Sequence, residues 1–204
     1  MKKINFRAIL LPIAVLCAVA CGDDADEHVA LAEWKAANEK ALNEIALNPE
    51  YTELKSPGNN GSIYYRVLKK GDGQKPIYYT SRVEVYYKGW YAATDREVGI
   101  TKGQVFDQKL FDDGAPAVFA VSIAGSTYNS AYSTYSPAIP IEGWTVALQY
   151  MRKGDKWEIW LPRQFAYGDA GQKDSNGNVV IPGYSTLVFE IEVISVAGID
   201  GDTE

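Results

Sequence analysis

Cysteine and histidine are nearly absent from this sequence. Its 204 residues include 2 Cys and 1 His, at positions 17, 21 and 28, so the chain beyond His28 has neither. That excludes a disulfide scaffold, a Cys/His zinc site, a cysteine nucleophile and any histidine-based triad in the main body. Basic charge is also in deficit: 20 Lys and Arg stand against 26 Asp and Glu, a net charge of −6. A nucleic-acid partner is therefore not expected. No phosphate-binding Gly loop or nucleophile-elbow pentapeptide occurs. Residues 174–178 begin like a calcium loop, but Val179 and Ser185 occupy the positions that need Gly and Glu, so a turn is predicted and no metal site. Asp112 and Asp113 precede Gly114 and read as a solvated turn rather than a glycosidase pair.

Apolar and aromatic residues are plentiful. Hydrophobic residues make up 47% of the chain and charged ones 23%, the balance of a globular protein. Fourteen Tyr and 5 Trp suggest a surface or pocket lined with rings.

The first 20 residues read as a targeting segment. Lys2, Lys3 and Arg7 precede an apolar run over residues 8–20, which at 13 residues is too short to span a membrane. The run ends Ala18-Val19-Ala20-Cys21-Gly22. This resembles the lipobox of bacterial lipoproteins, with Ala18 where Leu is usual, and implies lipidation of Cys21. An ordinary secretory signal cleaved nearby is the alternative. Residues 21–27 are acidic and aperiodic and read as a spacer.

Residues 28–48 are rich in Ala, Leu, Glu and Lys and are predicted to be helical, with Pro49 as the stop. Leu31, Trp34, Ala41 and Ile45 share a face that Asn38 interrupts. Such a helix packs on its own domain, pairs with a second copy in a homodimer, or binds a partner; local packing is favoured. The loop at Ser56-Pro57-Gly58-Asn59-Asn60-Gly61 is the clearest domain boundary.

Beyond Gly61 the period changes to two. Val83, Val85 and Tyr87, then Trp157, Ile159 and Leu161, then Leu187, Phe189, Ile191 and Val193 alternate with polar or outward-facing neighbours. With residues 63–69 and 118–123 this predicts about five or six antiparallel strands with one apolar face. Trp144, Ala147, Leu148 and Met151 mark one helix, ended by Lys153-Gly154-Asp155. The expected class is α+β: a curved antiparallel sheet wrapped on one short helix, preceded by an N-terminal helix. The predicted organisation is signal 1–20, spacer 21–27, helix and linker 28–56, domain 57–197 and acidic tail 198–204. Residues 91–102, 126–136 and 169–178 read as lengthened loops.

Seven ordered segments then carry a resemblance: residues 61–73, Val83-Glu84-Val85-Tyr86-Tyr87-Lys88-Gly89, Gly103-Gln104-Val105-Phe106-Asp107, Ile141-Glu142-Gly143-Trp144, residues 151–156, Ala166-Tyr167-Gly168 and residues 181–190. Together they resemble the FKBP-type peptidyl-prolyl cis-trans isomerases over roughly residues 58–196. The resemblance implies a proline pocket with Tyr87, Phe106, Asp107, Tyr167 and Phe189 as catalytic residues. Ile141, Trp144, Val180 and Ile181 would bind substrate, with Trp144 as floor, the Tyr167 hydroxyl as donor and the Ile141 backbone N–H holding a peptide carbonyl. It implies no cofactor, and proline-containing polypeptides as clients. Ala117 stands where family members commonly have an aromatic, and Gly183 where a second Pro is usual. An aromatic pocket free of Cys and His suits rotation about a bond, which needs no nucleophile. The reading is an isomerase anchored by Cys21 in the bacterial envelope, at the outer membrane, facing the periplasm or the cell surface. A non-catalytic binding or chaperone module on the same fold is the alternative; carbohydrate binding by exposed Tyr and Trp is a weaker third.

If Cys21 carries the anchor, Cys21→Ser gives an exported protein that fractionates as soluble, while the wild type stays with membranes through chains holding ~0.8 kcal/mol per buried CH₂. Wild type found wholly soluble, with the mass of an unmodified chain, would refute the anchor.

Overall fold

Two-residue alternation organises most of the chain after residue 51. The computed structural model describes residues 23–94, 99–122 and 141–197. The signal segment, Cys21, residues 126–136, part of 91–102 and the 198–204 tail lie outside the described residues. Helix α1 (Asp23–Ala46) leads into β1 (Thr52–Lys55), β2 (Ser62–Lys69), β3 (Arg82–Tyr91), β4 (Val105–Lys109) and β5 (Ala117–Ala120). Helix α2 (Glu142–Leu148), β6 (Lys156–Leu161), β7 (Gln172–Lys173), β8 (Val179–Ile181) and β9 (Leu187–Ala197) complete the order. Seven strands form one sheet in the order β1-β2-β6-β9-β3-β4, with β5 also on β3; β7 and β8 make a separate ribbon. Every pairing in the sheet is antiparallel. The α+β class is as expected. The sheet gains β1, a strand whose four residues are too few to show a period.

The inner face buries the alternating residues. Val83, Val85, Ile159, Leu161, Leu187, Ile191 and Val193 pack with Trp144, Ala147, Leu148 and Met151 in one core. Each Val, Leu, Ile or Met among them contributes on the order of 1.5–3 kcal/mol when fully buried. Met151 belongs to the helical stripe in sequence but lies past the end of α2, where its N–H bonds to the Leu148 carbonyl at 3.1 Å. The helix can sit directly on β6 because Gly143 has no side chain: a Cβ there would fall 2.5 Å from Leu161 Cδ2.

The outer face departs from expectation. Trp160 and Val188, on the outward register, are buried with Ala41 and Ala92 in a second cluster, with Ile45, Tyr51, Tyr64 and Trp90 against it. Helix α1 covers this face, so the sheet is apolar on both sides over part of its area. The buried stripe of α1 also differs from the predicted one. Trp34 and Ala41 are buried as expected, but Leu31 is 44% exposed and Asn38 only 1%. Asn38 joins the stripe because its Nδ2 donates to the Trp34 carbonyl at 2.9 Å and its Oδ1 accepts the Thr186 N–H at 2.6 Å.

Two boundaries move. The helix starts at Asp23, so the backbone over residues 23–27 is helical rather than a spacer. It stops before Pro49, and Asn48 turns the chain by accepting the Glu50 N–H on its side chain at 3.0 Å. Strand β1 pairs with β2 from Thr52↔Tyr65 to Lys55↔Ser62. A domain start at residue 57 would therefore remove a sheet strand along with α1. The 174–178 segment is a turn, as predicted: Asp174 Oδ1 accepts the N–H groups of Asn176 and Asn178, each at 2.9 Å.

One polar knot fastens the second cluster. Glu158, 6% exposed, accepts from the Tyr51 hydroxyl, from Trp160 Nε1 at 2.8 Å and from Arg66 at 2.8 Å. Burial alone would raise the carboxyl pKa, but these hydrogen bonds outweigh it and hold it below the ordinary value. The Tyr51 hydroxyl, desolvated and bonded to that carboxylate, is pushed up to about 12. Because the folded pKa is depressed, the carboxylate's contribution is full above the unfolded value near pH 4.3 and disappears as pH falls through the folded one. Glu158→Gln should cost about 1–3 kcal/mol at pH 7. In paired denaturant melts the gap from wild type should narrow below about pH 4; an equal gap at pH 3 and pH 7 would contradict this.

Candidate active site

Strand β3 sets up the site by what it leaves out. Gly89 lies opposite Phe189 of β9 in the register. On its other side β4 bulges: Gly89 pairs with Asp107 and Trp90 with Val105, so Phe106 is the extra residue. A bulge re-aims the side chain it carries. Phe106 and Phe189 therefore converge over Gly89, their centroids 5.5 Å apart with planes at 89°. A Cβ on Gly89 would lie 2.6 Å from the Phe189 ring and 2.9 Å from Phe106. The missing side chain is the space the two rings occupy.

Trp144, at the first turn of α2, closes the bottom. It is 3% exposed and meets Tyr87 at 5.1 Å, Phe119 at 5.2 Å and Phe189 at 5.3 Å, all edge-on. Such pairs are worth ~0.5–1.5 kcal/mol each beyond the area they bury. The result is an open cleft of about 270 Å³ lined by Tyr87, Phe106, Asp107, Phe119, Ile141, Trp144, Tyr167, Gln172 and Phe189.

Polar groups sit at the rim. The Tyr87 hydroxyl donates to Asp107 Oδ2 at 2.8 Å, which fixes both side chains at the cleft edge. Burial, reinforced by that bond, pushes the Tyr87 pKa well up. Tyr167 is raised as well, first by burial and then by the nearby Asp107 charge. Both hydroxyls consequently stay protonated at neutral pH. Among the described residues no acceptor takes the Tyr167 hydroxyl hydrogen. Ile141 stands at the cap of α2 with φ −60° and ψ 153°, and its carbonyl receives the Trp144 N–H at 3.0 Å. Its own N–H, one of the orphan donors at a helix start, has no partner among the described residues.

Residues 73–194 match the family model described as FKBP-type peptidyl-prolyl cis-trans isomerase. The chain belongs to that family. It is 34% identical over 134 residues to the FKBP-type 22 kDa peptidyl-prolyl cis-trans isomerase of Escherichia coli, covering 66% of this chain and 50% of that one. It is 33% identical, again over 134 residues, to the outer membrane protein MIP of Legionella longbeachae, covering 66% and 44% respectively. The crystal structure of a peptidyl-prolyl cis-trans isomerase from Pseudomonas syringae superposes with a TM-score of 0.55 at 31% identity, covering 86% of this chain and 98% of that one. The chain thus spans about half the length of those two curated relatives.

Seven of the nine site residues expected from the FKBP-type motifs come together in the cleft: Tyr87, Phe106, Asp107, Ile141, Trp144, Tyr167 and Phe189. Val180 and Ile181 do not line it. Ile181 is 2% exposed and packs in the core, while Val180 is 48% exposed on β8 and offers its carbonyl to the Tyr91 hydroxyl at 2.7 Å. Both sit on the strand that pairs with β7. Two lining residues were missed. Phe119 supplies a ring two positions beyond Ala117, and the alternation over 117–120 could have revealed it. Gln172 sits on a two-residue strand whose placement depends on its partner β8, and no local pattern marks it.

Proposed function

We propose that the protein is a peptidyl-prolyl cis-trans isomerase acting on exposed X–Pro bonds of proline-containing polypeptides. The observation that carries this reading is the convergence on one cleft of the Trp144 floor, its three edge-on rings and two donors without a partner among the described residues, Tyr167 Oη–H and Ile141 N–H. The reading gains support from family membership and from relatives that bear that name.

The residues suit the reaction. Rotation about X–Pro has a barrier of ~18–20 kcal/mol, because twisting breaks amide resonance. A planar amide is more dipolar than a twisted one, so an apolar cleft disfavours the ground state relative to the transition state. The proline ring fits against Trp144, between Tyr87, Phe106 and Phe189. The Ile141 N–H then holds a carbonyl of the peptide, and the Tyr167 hydroxyl donates to a second acceptor as the amide twists. Asp107, tied to Tyr87, orients the polar edge of the same cleft. No bond to the protein forms and no proton is transferred.

The site of action is the bacterial envelope. The lipobox-like Ala18-Val19-Ala20-Cys21 supports a lipid anchor, and the name of the Legionella longbeachae relative supports the outer membrane. Anchored there, the domain meets polypeptides that are exported unfolded. A homodimer through α1 has less support, since the Trp34 face of that helix is occupied by its own domain.

Tyr167→Phe removes one hydrogen bond and keeps the ring, so kcat/KM on a short X–Pro peptide should fall up to about tenfold. Phe106→Ala removes a half-buried wall and should reduce it further, with thermal melts confirming the fold. Between about pH 6 and pH 9 the wild-type profile should be flat, because both cleft tyrosines titrate above the ordinary value near 10. Full activity in folded Phe106→Ala would refute the cleft. A wild type inactive on several X–Pro peptides, yet suppressing aggregation of an unfolded protein, would mark a binding module instead.

A further inference from the structure

The segment that carries Tyr167 and Gln172 runs from Ala166 to Thr186 with little pairing of its own beyond the β7–β8 ribbon. Its two ends are locked together. The Tyr184 N–H bonds to the Gly168 carbonyl at 3.0 Å, and the Gly171 N–H to the Tyr167 carbonyl at 3.1 Å. A Cβ on Gly183 would fall 2.0 Å from the Asp169 carbonyl oxygen, and one on Gly171 would fall 2.1 Å from that of Ile181. Backbone touches backbone at both places, so displacing residues 181–184 displaces the turn that begins at Tyr167.

Helix α1 grips that same end. Trp34 Nε1 donates to the Gly183 carbonyl at 2.8 Å, across 149 residues of sequence. Asn38 Oδ1 accepts the Thr186 N–H at 2.6 Å, and the Thr186 hydroxyl reaches the Asn38 carbonyl at 3.3 Å. Lys35 lies over the Tyr184 ring at 5.1 Å, and Arg163 over it at 5.2 Å. Trp34 and Asn38 are 3% and 1% exposed, so these bonds act where water does not compete. From the cleft side, Tyr91 holds the segment by its bond to Val180. Its ring touches Trp34 edge-on at 6.3 Å and Phe106 at 5.1 Å.

We propose that α1 is a positioning element of the active site, in which Trp34 and Asn38 hold the 166–186 segment so that the Tyr167 hydroxyl stays aimed into the cleft. The proposal rests on the isomerase reading for its catalytic consequence, although the mechanical link stands on the geometry alone. Trp34 and Asn38 touch no substrate. They act through Gly183, Thr186 and the turn at Gly168.

The test uses the full chain and Trp34→Phe, which keeps a buried aromatic ring and removes the indole donor together with part of the ring's volume. Amide hydrogen exchange at Gly168, Gly171 and Tyr184 should quicken by about tenfold, the effect of losing one hydrogen bond, while β3 and β9 amides keep their wild-type rates. On a short X–Pro peptide kcat/KM should fall about three- to tenfold. In a Tyr167→Phe background the same substitution should cost less than about twofold, because the group it positions is gone. Asn38→Ala, which frees the Thr186 N–H, should reproduce the pattern and serves if Trp34→Phe melts early. Ile45→Ala loosens the other end of α1 and should lower the melting temperature with kcat/KM unchanged. Unchanged loop exchange in both folded variants, or a full additional loss in the Tyr167→Phe background, would overturn the proposal. Quickened loop exchange in the two variants, alongside a wild type that isomerises no peptide, would instead retain the clamp and contradict the isomerase reading.

Discussion

Trp144 must be buried and yet remain the floor of an open cleft, and much of the structure follows from that constraint. Tyr87, Phe119 and Phe189 meet its indole at interplanar angles of 78°, 63° and 86°. Rings standing on edge build walls around the indole, whereas stacked rings would cover it. Gly143 lets the helix approach Leu161 closely enough to bring Trp144 down onto the sheet. Gly89 clears the space above, and the bulge at Phe106 fills part of that space with a ring aimed inward. Two glycines and one irregularity in a ladder thus create the cleft.

A second consequence concerns the sheet's other side. Trp160, Val188 and Glu158 occupy outward register positions, which a sheet with one wet face would give to solvated residues. Here α1 covers Trp160 and Val188, while the buried carboxylate of Glu158 satisfies a tyrosine hydroxyl, an indole N–H and a guanidinium at once. Covering this face also brings α1 to the Gly183 carbonyl. The N-terminal helix is consequently packed as part of the domain, next to the segment that carries Tyr167.

Much of this was legible in the sequence, for a physical reason. Burial on one face imposes a period of two, so β3, β6 and β9 declared themselves through Val83/Val85, Ile159/Leu161 and Leu187/Ile191. The ordered motifs likewise placed Tyr87, Phe106, Asp107, Ile141, Trp144, Tyr167 and Phe189 in one cleft. What stayed hidden depends on long-range partners. Asn38 looks like a break in an apolar stripe until Thr186 supplies the N–H that its side chain accepts. Trp160 looks exposed until a helix more than 100 residues earlier covers it, and Glu158 until Tyr51 and Arg66 reach its carboxylate. Strand β1 is too short for alternation to register. Val180 and Ile181 lie on a short strand whose position depends on pairing with β7, which no local pattern marks.

The central claim is that this cleft lowers the barrier to X–Pro rotation by holding the peptide between Trp144 and the two rim donors. Exchange NMR of a short X–Pro peptide with catalytic amounts of the wild-type protein measures both halves together. The expected result is a cis–trans exchange rate rising in proportion to protein concentration, with shift changes concentrated on the Ile141 amide, the Trp144 indole N–H and the Tyr167 ring. Peptide that perturbs those signals without faster exchange, or faster exchange with those signals unmoved, would contradict it.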